Sequence, residues 1–96
     1  MTAAWLSPRA LADLDDIWVF GAERWRPTQA ERYLRQLNAA IETVSEDPRR
    51  GRPCDDIRPA YAKFKVGSHT LFFRPVGGRI EIVRILHSRM DFDLHL

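Results

Sequence analysis

One cysteine, Cys54, leaves no partner for an internal disulfide, and with three scattered histidines it forms no pair at zinc-ligand spacing. Disulfide and structural-zinc frameworks are therefore excluded, and no metal or other cofactor is expected. Long apolar runs are missing as well: Ile17-Trp18-Val19-Phe20 falls far short of the roughly 18 residues that a membrane-spanning helix needs, so no membrane partner is expected. No basic stretch precedes an apolar one near the N-terminus, where Asp13, Asp15 and Asp16 intervene. Neither a secretory signal nor a transit peptide fits that pattern, and a cytoplasmic protein is expected. Lysine is nearly absent, since only Lys63 and Lys65 stand beside thirteen arginines. The planar guanidinium suits carboxylate, phosphate and interface pairing better than an ammonium does. There is no glycine-rich phosphate loop and no nucleophile motif.

What is present is 96 residues with 45% hydrophobic and 29% charged side chains, enough for one core and too few for two. Residues 1–96 read as a single domain. A core of this size without staples supplies about 3 to 5 kcal/mol net, so a protein partner that completes the core fits the chain. Charge is split along it. Residues 1–48 hold five arginines against eight acids, a net of −3, while residues 49–96 hold ten basic residues against five acids, a net of +5. The total of +2 is too weak to argue for nucleic acid, and no direct sequence-specific DNA binding is expected.

Ser7 can cap a helix whose first position is Pro8. Leu11, Leu14, Trp18 and Trp25 recur at helical spacing, with Ala10, Ile17 and Ala22 widening the stripe and Asp13, Asp15, Asp16 and Glu23 largely outside it. The first helix is predicted from about Pro8 to about Arg24, ended by Pro27. Thr28 and Glu31 form a capping-box pattern, and Ala30, Tyr33, Leu34, Leu37, Ile41 and Val44 carry a second helix to about Glu46. Two amphipathic helices with a short link make an antiparallel hairpin. Residues 47–59, with three prolines and four arginines, read as an irregular crossover.

Residues 61–66 alternate, Gly67-Ser68 and Gly77-Gly78 supply turns, and the stretches around them predict a three-stranded antiparallel meander. Residues 3–6 add an edge strand. The class is α+β: an N-terminal strand, a helical hairpin, then the meander, with the helices on one sheet face. Ala62, Phe64 and Val66 share a face, with Tyr61, Lys63 and Lys65 opposite, so the uncovered face is predicted to be basic. At most one of Phe72 and Phe73 points to the helices.

Lys63, Lys65, His69, Arg84, His87 and Arg89 are the groups available for phosphate binding or acid–base chemistry on RNA, against the alternative of solvated charges on a sheet face. Met90, Phe92 and Leu94 read as packing residues, Asp91 and Asp93 as surface turn acids, and His95 as a terminal polar residue. At least one of Trp5, Trp18 and Trp25 is expected in the core, and Trp25 at the hairpin tip is the strongest candidate for a partner contact. Cys54, with no base beside it, reads as inert.

Several separate motifs stand in one order: residues 6–18, Gln29-Ala30-Glu31-Arg32-Tyr33, Pro48-Arg49-Arg50-Gly51-Arg52-Pro53, Arg58-Pro59-Ala60-Tyr61, Val66-Gly67-Ser68-His69, and the run from Ile82 through Ile85-Leu86-His87 to Arg89-Met90-Asp91. Together they resemble the ParE toxin family of the RelE/ParE superfamily over essentially the whole chain. The resemblance implies a toxin of a bacterial type II toxin–antitoxin pair. Such a toxin inhibits DNA gyrase, is not an enzyme, and is neutralised by a ParD-like antitoxin. RelE-type toxins instead cut mRNA on the ribosome. Lys63 and Lys65 resemble their paired lysines and Arg89 sits near their C-terminal arginine, but Thr70 stands where an arginine is expected, and residues 91–96 contain no tyrosine. With that set incomplete the gyrase reading is preferred; a ribonuclease and an inactive relative are the alternatives.

The resemblance places the gyrase-facing surface on the last strand and its extension, at Arg84, His87, Arg89, Met90 and Asp91. For the antitoxin, which folds on binding into an apolar groove, it points to Leu11, Leu14, Trp18, Trp25, Arg58 and Tyr61.

Overall fold

A computed structural model describes residues 4–96. The order is β1 (Ala4–Leu6), α1 (Pro8–Arg24), α2 (Pro27–Glu46), a 3-10 turn (Pro48–Arg50), β2 (Arg52–Pro53), β3 (Ala62–Val66), β4 (His69–Val76), β5 (Arg79–His87) and α3 (Phe92–His95). The predicted edge strand is present as β1; Ala3 lies outside the described residues. Among those residues no helix is long and apolar enough to cross a membrane.

Ser7 starts α1 as expected: its side-chain oxygen accepts the Ala10 amide at 3.0 Å, and Pro8 follows in the first turn. The inward stripe of α1 is narrower than predicted. Ala10 and Gly21 are buried and Leu14 and Ile17 half-buried, whereas Leu11 and Trp18 face outward. Asp13, expected on the polar face, lies on the inner side. For α2 the capping box does not form. Pro27 begins the helix, so Thr28 falls inside the first turn where its hydroxyl has no cap to make, and Glu31 pairs with Arg35 at 2.6 Å instead. Of the predicted stripe of α2, Ala30, Leu37 and Val44 are buried and Tyr33, Leu34 and Ile41 half-buried, and Ala40, not part of that stripe, is buried as well.

The sheet has five strands in the order β1-β5-β4-β3-β2, with β1 parallel to β5 and every other pair antiparallel. β2, a two-residue edge strand, was read as crossover because Arg52-Pro53 has no period. Pro53 is allowed there since an edge leaves one side of the strand unpaired. Register shifts between Phe72 and Phe73, where Val83 is the extra residue on β5. Adjacent Phe72 and Phe73 serve opposite faces by the ordinary alternation of β4.

Both faces are covered, which corrects the expectation of one open basic face. The helix-side core holds Leu37, Ala40, Val44, Leu71, Phe73, Ile80, Ile82 and Ile85, with Ala62, Phe64 and Val66 packed against it as predicted. On the other side Cys54, Phe72 and Leu86 form a second core, closed by Ile57 and Tyr61 from the crossover and by Met90, Phe92 and Leu96. Phe92 meets Phe72 edge-on at 4.8 Å. Burial raises the Cys54 thiol pKa and keeps it protonated, in line with an inert cysteine. Leu94, expected to pack, is 80% exposed, and all three tryptophans lie outside the buried core.

Beyond the end of β1, side chains of α1 take over the edge of β5. Ser7 Oγ donates to the Val83 carbonyl at 2.7 Å, and the Ile85 amide donates to Asp13 Oδ2 at 2.9 Å. The same carboxylate receives two bonds from Arg84, Nε at 2.8 Å and a terminal nitrogen at 2.9 Å, and the third guanidinium nitrogen donates to the His95 carbonyl at 2.7 Å. Arg84, whose face the mixed alternation of this strand left open, is buried. Its partners are internal because a buried guanidinium requires a countercharge and bonded protons.

Two stability measurements follow. A Cβ on Gly51 would overlap the ring of the buried Phe73, so Gly51→Ala is expected to cost about 1–3 kcal/mol in urea unfolding by overpacking. Leu94→Ser, at an exposed position, is expected to stay within about 0.5 kcal/mol of the parent.

Candidate functional site

The described structure has a cleft of about 380 Å³ between the second half of α1 and the adjoining ends of β4 and β5. Asp16, Ile17 and Phe20 of α1 form one wall, His69, Ile85 and His87 the sheet side, and Trp25 and Met90 the ends. Asp13 and Arg84 also line it, but their charges are engaged with each other.

The sheet side carries an aromatic row. Trp25 meets Tyr33 edge-on at 5.8 Å, Tyr33 meets His69 at 5.5 Å, and His69 meets His87 edge-on at 5.2 Å. His69 and His87 are direct cross-strand partners, which brings their rings together. The Tyr33 hydroxyl lies 2.6 Å from His69 Nδ1 and accepts the Ser68 amide at 3.1 Å. Gly67 between these strands has φ +56°, and a Cβ there would lie 2.8 Å from the Tyr33 ring, so glycine permits both the turn and the approach of α2. Burial raises the Tyr33 pKa, opposed by the Ser68 amide. His87 Nδ1 accepts the Arg89 amide at 3.1 Å, which assigns the ring proton of neutral His87 to Nε2.

Burial lowers the His69 pKa, and the neighbouring His87 lowers it further, against a smaller opposing pull from Asp13. In the unfolded chain histidine titrates near about 6.5. Between the depressed folded value and that point the unfolded state binds more protons, so this contribution is complete above the unfolded pKa and lost as pH falls toward the folded one. Unfolding midpoints measured from pH 7.5 down to pH 5.5 are expected to fall less steeply for His69→Gln than for the parent.

The residues predicted for the target surface separate. Arg89 and Asp91 are exposed, and Asp91 also caps α3 by accepting the Asp93 amide at 3.0 Å. His87 is half-buried in the cleft, Met90 is packed under the second core, and Arg84 is buried. The residues predicted for the antitoxin do not share one surface. Leu11, Leu14, Trp18 and Trp25 lie on or beside α1, whereas Arg58 and Tyr61 belong to the crossover on the opposite sheet face. Leu14 is already packed on the core.

Val19 and Phe20, both 53% exposed, add apolar side chains on other sides of α1 from Leu11 and Trp18, with Phe20 on the cleft side. Their signal was the run Ile17-Trp18-Val19-Phe20, which is apolar around the whole helix and so demands more than one covered face. Tyr33 was read only as a core position. As for acid–base chemistry on RNA, Lys65 pairs in register with Thr70 on the face away from the helices, while His69 and His87 face them. Thr70 is buried and supplies no cation beside Lys65. The basic candidates therefore do not converge on one scissile position.

Residues 5–92 match the family described as ParE toxin of type II toxin-antitoxin system, parDE. The chain is 53% identical over 92 residues to Toxin ParE1 of Mycobacterium tuberculosis, covering 95% of this chain and 94% of the relative. It is 47% identical over 91 residues to Toxin ParE1 of Caulobacter vibrioides, again covering 95% and 94%. Its fold is similar to a solved chain of a chromosomal ParDE TA system from P. aeruginosa, with a TM-score of 0.80, 20% identity, and coverage of 91% of this chain and 96% of that one. With the family spanning the helical hairpin, the meander and the cleft between them, the chain belongs to the ParE toxins of type II toxin–antitoxin systems.

Proposed function

We propose that the chain is a toxin that binds and inhibits DNA gyrase without being an enzyme, and that a ParD-like antitoxin neutralises it by covering α1 and the cleft. The observation that supports the antitoxin half is the set of large apolar side chains left exposed around α1 and its end, Leu11, Trp18, Val19, Phe20 and Trp25, each 39–53% exposed on a chain of 96 residues. Large side chains left in water at that density are a binding surface, and a segment that folds on contact is suited to follow it. Gyrase inhibition is supported by family membership and by the scattering of the basic residues that an RNA-cleaving site would need. Within the target surface Arg89, His87 and Asp91 are the contact candidates. Arg84 acts through position: by holding the His95 carbonyl it ties the C-terminal segment to the end of β5.

The test uses purified protein, gyrase and relaxed DNA. The parent is expected to block supercoiling, and stoichiometric antitoxin is expected to restore it. Arg89→Ala is expected to lose inhibition at least about tenfold while binding antitoxin within about threefold of the parent, as a rim charge on a separate surface does. Trp18→Glu is expected to do the reverse. Supercoiling that continues unhindered, while mRNA is cut in translating ribosomes, would overturn the gyrase reading.

A further inference from the structure

On the sheet face away from the helices, side chains from neighbouring strands form a continuous row. Ala4 and Leu6 pack on the helix-side core, so Trp5 between them turns to the other face. By the same alternation Glu81, between Ile80 and Ile82, and Arg74, after Phe73, share that face. Trp5 stands opposite Glu81, and Glu81 stands opposite Arg74. Arg74 Nε donates to the Glu81 carboxylate at 2.9 Å, and its guanidinium lies 5.9 Å from the centre of the Tyr61 ring. Arg79, two residues before Glu81, holds its guanidinium 4.6 Å from the centre of the Trp5 ring.

The second core covers this face from Tyr61 to the C-terminal segment. Past Tyr61, Arg74 and Arg79 are exposed. Each guanidinium lies against a ring, which limits its freedom before any partner arrives and lowers the cost of ordering it on contact. Trp, Tyr and Arg are the residues that dominate binding energy at protein interfaces, and the row sets two of each type of group, aromatic and guanidinium, around one carboxylate. That carboxylate is engaged with Arg74. Arg79 has no carboxylate partner among the described residues, and residues 49–96, which supply four of the five strands, carry a net charge of +5.

We propose that the row of Trp5, Arg79, Arg74 and Tyr61 is a second protein-binding surface, taking an acidic surface patch of the toxin's target. A partner carboxylate meets the planar fork of Arg79, and an apolar group beside it meets Trp5. A phosphate backbone fits less well, since it draws on several unpaired cations and this row has a carboxylate at its middle. The inference rests on the gyrase reading above and adds a contact to it. The C-terminal segment that carries Arg89 and Asp91 closes the second core on this same face, so the row extends the target surface away from α1.

Purified toxin, its antitoxin, gyrase and relaxed DNA test this. Arg79→Glu is expected to raise the toxin concentration for half inhibition of supercoiling at least about 30-fold, and Trp5→Ala at least about tenfold, as loss of a central anchor does. Both variants are expected to bind antitoxin within about threefold of the parent, which also shows that they fold. Inhibition by either variant at the parent's concentration overturns the surface and leaves the gyrase reading standing. A parent that neither binds nor inhibits gyrase overturns both. An equal loss of antitoxin binding overturns the surface as well, the row then having a structural role. If the parent binds DNA without gyrase, or dimerises, and Arg79→Glu abolishes either property, the occupant is nucleic acid or a second copy and the acidic target patch is overturned.

Discussion

The carboxylate of Asp13 is the junction on which this fold turns. It receives two bonds from Arg84 and one from the Ile85 amide, and Arg84 in turn reaches the His95 carbonyl. One side chain of α1 thus joins the helix, the last strand and the C-terminal segment, elements separated by about seventy positions in the chain. In a buried setting each member depends on the others, since removing one partner leaves an uncompensated charge or an unpaired donor. The packing of Met90, Phe92 and Leu96 holds the C-terminal segment over the second core, and the Arg84 bond to His95 fixes its end.

That junction also shapes the cleft. Because β1 is only three residues long, β5 projects past it, and Ser7 and Asp13 complete the edge with side chains. The repair ends at Ile85. Beyond it the end of α1 stands off from the sheet, the aromatic row from Trp25 to His87 floors the gap, and the helix keeps Trp18, Val19 and Phe20 in water. Structural economy along that edge and the open cleft beside it are the same feature.

Much of the fold was legible in the sequence where one physical signal acted alone. Ser7-Pro8 marked the start of α1, the spacing of Ala30, Leu37 and Val44 marked the buried face of α2, and glycine pairs marked the turns. Legibility failed where two signals competed. Trp18 and Leu11 outweighed Ala10 and Gly21 in the reading of the α1 stripe, although the small residues are the ones that let the helix approach its neighbours. Thr28 and Glu31 matched a capping box that Pro27 pre-empted. The bulge at Val83 was invisible to alternation, and with it the buried position of Arg84. Tyr33 and His69 meet through a contact 36 positions apart, which no local pattern records.

The account's central claim is that Asp13 and Arg84 act as one unit, and a double-mutant cycle in urea unfolding measures it directly. Asp13→Ala and Arg84→Ala are each predicted to lose about 3–5 kcal/mol, with the double variant losing little more than either alone. Small losses below about 1 kcal/mol that add in the double variant would contradict it, since they are what a surface pair gives.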